Sequence, residues 1–320
     1  MGDILRVSKL SKQFNLEAGA FRKNKKTVYA VNDVSFSVGR GTTYGILGES
    51  GSGKTTTARL IVKMYGASGG SINFFPDDKA SPLDVEFLGG RELKSYREAV
   101  KYIFQDPARS LNPRLSVFDV MTSGLRYSKK WHGKKDAWEK ALRILLEVGL
   151  EEKDLFRRPM EFSGGQRQRI SIARALIMEP SLILCDEVVS ALDVSIQGQI
   201  INLLSELKAS RNLSYVFITH DLKIASYFCD RIGVMYRGVL VEEGEAKNLY
   251  KNAVHPYTKL LFAGAEHRLK TGSTEVKSVL QKETSCPFAY RCPHAKPECG
   301  QSLPEFSEIE AGHKVRCLLV

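Results

Sequence analysis

The sequence predicts an α/β fold: a parallel sheet with helices, interrupted by a helical insertion and followed by an irregular, cysteine-containing C-terminal extension. Three observations predict it. Leu182-Ile183-Leu184-Cys185 and Tyr215-Val216-Phe217-Ile218 are continuous apolar runs of strand length, as expected for strands buried on both faces. Between them, apolar residues at 196, 200, 203, 204 and 207 follow a helical period, and strand, helix, strand implies parallel pairing. From about 106 to 165 the strand signals vanish, and Ala141, Leu142, Leu145 and Val148 recur at helical spacing.

Composition narrows the class. A chain of 320 residues can bury one large core, with or without a smaller appendage. Apolar residues at 43% and charged residues at 26% are globular values, which excludes a disordered chain. No apolar run reaches the length of a membrane span, and Met1-Gly2-Asp3-Ile4-Leu5-Arg6 lacks the layout of a secretory signal. We therefore expect a cytosolic chain, able to dock on a membrane protein. The net charge of +11 raises nucleic acid or anionic lipid as partners. The basic runs at Lys23 to Lys26, Lys129-Lys130 and Lys134-Lys135 fall in expected loops and lack aromatic interleaving, so no nucleic-acid partner is expected.

Along the chain, Gly41 to Gly48 reads as a strand entering a glycine-rich turn. Gly48-Glu49-Ser50-Gly51-Ser52-Gly53-Lys54-Thr55 fits the phosphate loop of P-loop NTPases, with a strand before it and a helix after it, and Thr56 is expected to bind ATP with the loop. Its glycines let backbone N–H groups converge on a phosphate, and the helix N-terminus adds positive potential. Lys54 would reach the β- and γ-phosphates and Thr55 would offer a hydroxyl to Mg²⁺. The helix is expected over 54–65, with Leu60, Ile61, Met64 and Tyr65 on one face and Gly66 as its stop.

Two further strand ends carry polar groups. Asp186-Glu187 follows the first apolar run, where ligands bind in open parallel sheets. Asp186 would hold Mg²⁺ and Glu187 would polarise a water for attack on the γ-phosphate. His220, in Thr219-His220-Asp221, ends the second run in the same way. Gln105 follows the strand-like segment Tyr102-Ile103-Phe104 and would link Mg²⁺ or water to the insertion. A second phosphate device appears at Ser163-Gly164-Gly165-Gln166: Ser163 is a natural N-cap and the glycines permit close approach of an anion. With Lys54 already claiming a nucleotide, a second helix N-terminus fits a composite head-to-tail site.

The tail differs in composition. Of six cysteines, Cys286, Cys292, Cys299 and Cys317 fall in the last 35 residues, among prolines. Their spacing is not that of a zinc ribbon. Four thiolates in a cytosolic tail suggest a metal centre, and [4Fe–4S], zinc and free core thiols all remain open, with His294 and His313 as alternative ligands.

Together these segments resemble the nucleotide-binding subunit of an ABC transporter over roughly residues 4–250. In family terms, 48–55 matches Walker A, Gln105 the Q-loop, 162–169 the signature segment, 182–187 Walker B, Ser190-Ala191-Leu192-Asp193 the D-loop, and His220 the switch histidine. The resemblance implies a P-loop NTPase fold of ABC type over 1–253, with a helical subdomain at about 106–165. It implies ATP hydrolysis with Mg²⁺, Phe14 stacked on adenine (with Tyr29 near), and Ser163, Gly164, Gly165, Gln166 and Asp193 contacting a partner's ATP. Phe104-Gln105-Asp106-Pro107, Ser110-Leu111-Asn112-Pro113-Arg114 and His255-Pro256-Tyr257-Thr258 point to the oligopeptide/dipeptide branch. That branch implies import of peptides, nickel or oligosaccharides through two permeases, an extracytoplasmic solute-binding protein, a second and commonly different ATPase subunit, and a seat on the cytoplasmic face of the membrane. It also tilts the tail, residues 254–320, toward a [4Fe–4S] cluster. Val188-Val189 depart from the family's usual proline and small polar residue, and Phe162 from the common leucine; neither removes a reacting group. The competing reading, a soluble ABC-type ATPase acting on nucleic acid or ribosomes, would call for coiled coils or a second motif set, and neither is present.

Overall fold

The computed structural model describes residues 2–16, 26–77, 81–265 and 285–319. Its centre is an eight-stranded sheet. Thr43–Leu47 lies between Ser214–Thr219 and Arg231–Tyr236, with Leu182–Asp186 and then Val100–Ile103 beyond Ser214–Thr219. These five strands run parallel. Register does the functional work: Leu47 pairs with Thr219, Asp186 with Ile218 and Ile103 with Cys185. The turns after these strands therefore open side by side along one carboxyl edge.

Alternation along each strand feeds two separate cores. Ile183, Cys185, Tyr215 and Phe217 pack into one; Leu182, Leu184, Val216 and Ile218 pack into the other. The first core is closed by helices Val117–Thr122, Lys134–Glu147, Gly164–Leu176 and Val194–Arg211. The second is closed by helix Lys54–Ile61 and a four-stranded antiparallel sheet, in which Asp3–Leu16 pairs with both Lys26–Gly39 and Gly69–Phe74. Among the described residues no strand lies between Ile103 and Leu182. No described helix is long and apolar enough to cross a membrane.

Two elements depart from expectation. The helix expected over 54–65 stops at Ile61. Lys63 turns left-handed, with φ of 53°, while its Nζ donates to the carbonyls of Glu86 and Leu88. Met64 and Tyr65 are thereby exposed, at 44% and 37%, and leave the buried face. The extension is irregular over much of 285–306 but ends in strands Ser307–Glu310 and His313–Val315. They add antiparallel to the edge strand Val239–Glu245, with Glu242 opposite Val315. The tail thus continues the main sheet. Buried Arg316 fixes it there by donating to Asp33 Oδ2 at 3.0 Å and to the carbonyls of Leu240 and Pro304.

Candidate active site

The phosphate loop leaves the central strand with glycines that its path requires. Gly48 has φ of 154°, and a Cβ there would lie 2.2 Å from the Met235 carbonyl oxygen. Gly53 has φ of 103°, and its Cβ would lie 2.3 Å from the Ala30 carbonyl oxygen. Only glycine allows both backbones to approach that closely. Lys54 is buried and donates to the carbonyls of Gly48 at 2.7 Å and Glu49 at 2.9 Å. Burial pulls its pKa down, against the pull upward from Glu187, Asp186 and Glu49. Ser50, Gly51, Ser52, Gly53, Thr55 and Thr56 line the same pocket as Lys54, together with Gln105 and Glu187.

The expected carboxylates come from the end of strand Leu182–Asp186: Glu187 lines this pocket, and Asp186 lines an adjoining one with Thr55 and Gln105. Thr55 Oγ1 donates to Asp186 Oδ1 at 3.0 Å, and Tyr102 donates to Asp186 Oδ2 at 2.5 Å. Burial raises the Asp186 pKa, and those two hydrogen bonds oppose the rise. A buried carboxylate beside a threonine hydroxyl is a donor pair suited to a hard cation. Glu187 sits in the left-handed region, with φ of 48°, its carbonyl oxygen accepting from the Ser190 hydroxyl at 2.9 Å. Its Oε2 accepts from Gln105 Nε2 at 3.0 Å and lies 3.6 Å from His220 Nδ1. Three loops therefore meet on one carboxylate oxygen. Gln105 engages Glu187 here, beside the Thr55–Asp186 pair. Val188 and Val189 are buried in the helical core behind this turn, which accounts for two valines where the family has a proline and a small polar residue.

Phe14 lies outside this pocket. Its ring meets Tyr65 edge-on, with centroids 5.9 Å apart, and Lys12 Nζ sits over it. Thr27, Val28 and Tyr29 occupy the pocket wall instead. Val28, the residue opposite Phe14 on the paired strand, lines this pocket, as does Tyr29, the alternative to Phe14 for an adenine stack.

The second phosphate device also stands apart from Lys54. Ser163 Oγ accepts from the Gln166 N–H at 3.3 Å, and Gln166 Oε1 accepts from the Ser163 N–H at 3.0 Å, a reciprocal capping box. Gly165 has a second reason to be glycine: a Cβ there would lie 2.6 Å from Ile196 Cγ2. Ser163 to Gln166 are not among the residues lining the Lys54 pocket. Asp193 is exposed at the N-cap of Val194–Arg211, and Val194 beside it is 84% exposed.

Comparison with known proteins decides the family. The ABC transporter family model matches residues 31–190, and the model of the oligopeptide/dipeptide transporter C-terminal region matches residues 241–299. The oligopeptide transport ATP-binding protein AppF of Bacillus subtilis is 41% identical, over 99% of this chain and 97% of its own length. The chain belongs to the ABC transporter family. The oligopeptide transport ATP-binding protein OppF of the same organism is 43% identical over 91% of this chain and 90% of its own. Among solved structures, the dimeric post-hydrolysis ATP-binding cassette MJ0796 with ADP and Pi superposes at a TM-score of 0.64, with 28% identity, covering 76% of this chain and 98% of that one. The protein is an ABC-type ATPase, and Mg²⁺ accompanies ATP in this class.

In this ABC ATPase the tail also reaches the site. Ser285 and Pro287 line the Lys54 pocket. Cys286 and Cys299 are buried, Cys292 and Cys317 partly so, and all four are free thiols. The Cys286 N–H donates to the Cys299 carbonyl at 2.9 Å. Burial raises the Cys286 and Cys317 thiols, and neighbouring cysteines raise them further; backbone N–H groups of Phe288, Ala289 and Leu319 oppose this. Among the described residues no three His, Cys, Asp or Glu side chains form a group for a single metal ion. His294 is exposed, and His313 Nε2 is held by buried Glu242 Oε1 at 2.8 Å, so neither is presented to the thiols. Cys185 and Cys229 are core thiols, pushed far up by burial.

Sequence reasoning missed Tyr102, Tyr257 and Arg291. Tyr102 had a positional signal, being one residue before the strand end at Ile103, and Tyr257 stood in the segment His255-Pro256-Tyr257-Thr258; Arg291 had none.

Proposed function

We propose that this chain is the ATP-hydrolysing subunit of an importer, driving uptake of peptides or a related solute through partner permeases. The observation that carries the catalytic part is Glu187 in the pocket of Lys54, its Oε2 bonded to Gln105 and 3.6 Å from His220 Nδ1. Lys54 binds the β- and γ-phosphates once they displace its bonds to the Gly48 and Glu49 carbonyls, and the loop N–H groups of 48–55 cradle them. Thr55 and Asp186, with Gln105 at the pocket edge, would hold Mg²⁺, which neutralises phosphate charge when bound. Glu187 accepts the proton of the attacking water; Gln105 and His220 fix the orientation of its carboxylate.

A second, related ATPase subunit would bring its own serine-glycine turn over Lys54, while Ser163, Gly164, Gly165, Gln166 and Asp193 face the nucleotide of that partner. The exposed Asp193 and Val194 support such a joint. Two permeases, an extracytoplasmic solute-binding protein and a peripheral seat on the cytoplasmic face of the membrane complete the assembly. The matched relatives, named for oligopeptide transport over nearly their full length, favour this over a soluble ATPase on nucleic acid. Residues 1–253 form the nucleotide-binding domain and 254–320 the extension. Cys286, Cys292, Cys299 and Cys317, four free thiols of the extension, are the residues that would ligate a [4Fe–4S] cluster. Its role there is structural.

Reconstitution with the permeases and solute-binding protein in liposomes tests the function: ATP-dependent accumulation of peptide is expected, and turnover with nickel uptake instead would reassign the cargo. Anaerobic purification with iron, sulfide and zinc analysis tests the cluster; an iron-free protein that folds normally would remove it.

A further inference from the structure

The phosphate loop contains an acid. Glu49 places a carboxylate next to the loop peptide whose carbonyl oxygen holds Lys54 Nζ at 2.9 Å. A negative charge there opposes binding of a triphosphate unless something neutralises it. The neutralising group comes from the extension, 242 positions away: Arg291 Nη1 donates to Glu49 Oε2 at 3.0 Å and Nη2 to Oε1 at 3.3 Å. This two-pronged geometry uses both carboxylate oxygens and aims the charge pair in a fixed direction. The guanidinium is itself held, 5.8 Å from the Tyr236 ring centroid and 5.7 Å from that of buried Phe288, with a further bond to the Tyr236 hydroxyl at 3.3 Å.

A second contact fixes the same residue. The Glu49 N–H donates to the Tyr257 hydroxyl at 3.0 Å. Tyr257 is fully buried, with its ring centroid 4.5 Å from that of Tyr236 and 5.5 Å from that of Phe288. Backbone and side chain of one loop residue are thus both anchored by chain beyond residue 255, and Ser285 and Pro287 beside this anchor line the Lys54 pocket.

We propose that Arg291 and Tyr257 are positioning residues of the nucleotide site, and that the cysteine-bearing extension sets ATP affinity by neutralising and orienting Glu49. The inference rests on the assignment of Lys54 as the phosphate-binding lysine. An isolated surface ion pair would contribute little to stability, since the Glu49 and Arg291 side chains are 43% and 28% exposed. The effect here falls on the ligand: losing Arg291 leaves an uncompensated anion within the loop whose carbonyl holds Lys54.

The test is equilibrium binding of a fluorescent ATP analogue with Mg²⁺ to the full chain. Arg291→Ala is expected to weaken binding about 5- to 10-fold at low salt, with the gap narrowing at high salt. Adding Glu49→Gln to Arg291→Ala is expected to restore affinity to within about twofold, because the unneutralised charge is gone. A purely structural staple would not be rescued that way. Tyr257→Phe keeps the ring and removes the acceptor, and a loss of about 2- to 3-fold is expected. Lys54→Ala is the control for the site: it should abolish binding, and binding that survives it would overturn the site assignment and this inference together. If Lys54→Ala abolishes binding while Arg291→Ala leaves it unchanged, or if Glu49→Gln gives no rescue, the inference alone falls.

Discussion

Two regions build the wall around Lys54, and they do so by different means. The carboxyl edge of the parallel sheet delivers Gly48, Gln105, Glu187 and His220 by strand register, each turn opening where its strand ends. The extension reaches the same pocket through irregular chain; it is held by the pairing of His313–Val315 with Val239–Glu245 and by side-chain contacts of Arg291 with Glu49, Arg316 with Asp33, and His313 with Glu242. Backbone pairing positions reactive groups with redundancy, since no single side chain carries the register. Where a contact buries a charge, as at Arg316, loss of the partner is costly. The sheet edge should therefore tolerate substitution structurally while losing chemistry, Arg316 should do the reverse, and the half-exposed Arg291 should act on ligand affinity.

That contrast can be broken at several points. Lys54→Ala should reduce ATP affinity by 100-fold or more while leaving the melting temperature nearly unchanged, read by nucleotide titration alongside thermal unfolding. Collapse of the fold in that variant would show that the loop is structural as well as chemical. Gln105→Ala should lower turnover about 10-fold with ATP affinity within twofold, since Glu187 keeps its place through the Ser190 and Ile218 contacts but loses a partner on Oε2. Arg316→Ala tests the opposite region. It should cost about 2 kcal/mol of stability, discounted because Asp33 is 40% exposed, with turnover per folded molecule retained.

The smallest effect is a pH dependence at the junction of the two regions. His255 is buried, its Nδ1 accepts from the Tyr257 N–H at 3.1 Å, and burial pulls its pKa down to about 4. The unfolded chain binds this proton near pH 6.5, so stability is intact above that value and is lost as pH falls from 6.5 toward 4. His255→Asn keeps an acceptor and removes the titration. Its melting temperature should fall less steeply across that window than that of the unsubstituted protein. Parallel pH profiles would show that His255 does not carry the acid sensitivity.

Legibility followed the same division. The strands 182–185 and 215–218 were readable because both faces are buried, which leaves continuous apolar runs, and the glycine-rich loop was readable because its path excludes side chains. The capped turn at Ser163 was readable from its cap chemistry, although the packing of Gly165 on Ile196 was not. The tail strands were opaque. Ser307–Glu310 reads Ser-Glu-Ile-Glu, with no continuous apolar run, and pairs only because Val239–Glu245 offers it an edge through His313–Val315. Arg291 and Glu49 carry no local pattern linking them; only the tertiary fold brings the two together. Phe14 and Tyr29 lie on paired strands, and which of them would meet an adenine depends on side-chain direction, which sequence does not give.

In the proposed mechanism Glu187, bonded to Gln105 and 3.6 Å from His220, takes the proton from water in the Lys54 site. Single-turnover ATP hydrolysis by Glu187→Gln, measured in the assembled complex beside ATP affinity, tests it most directly. The account predicts unchanged affinity with hydrolysis slowed about 10²- to 10³-fold, because glutamine preserves shape and removes the base. Hydrolysis within a few-fold of the unsubstituted rate would contradict it.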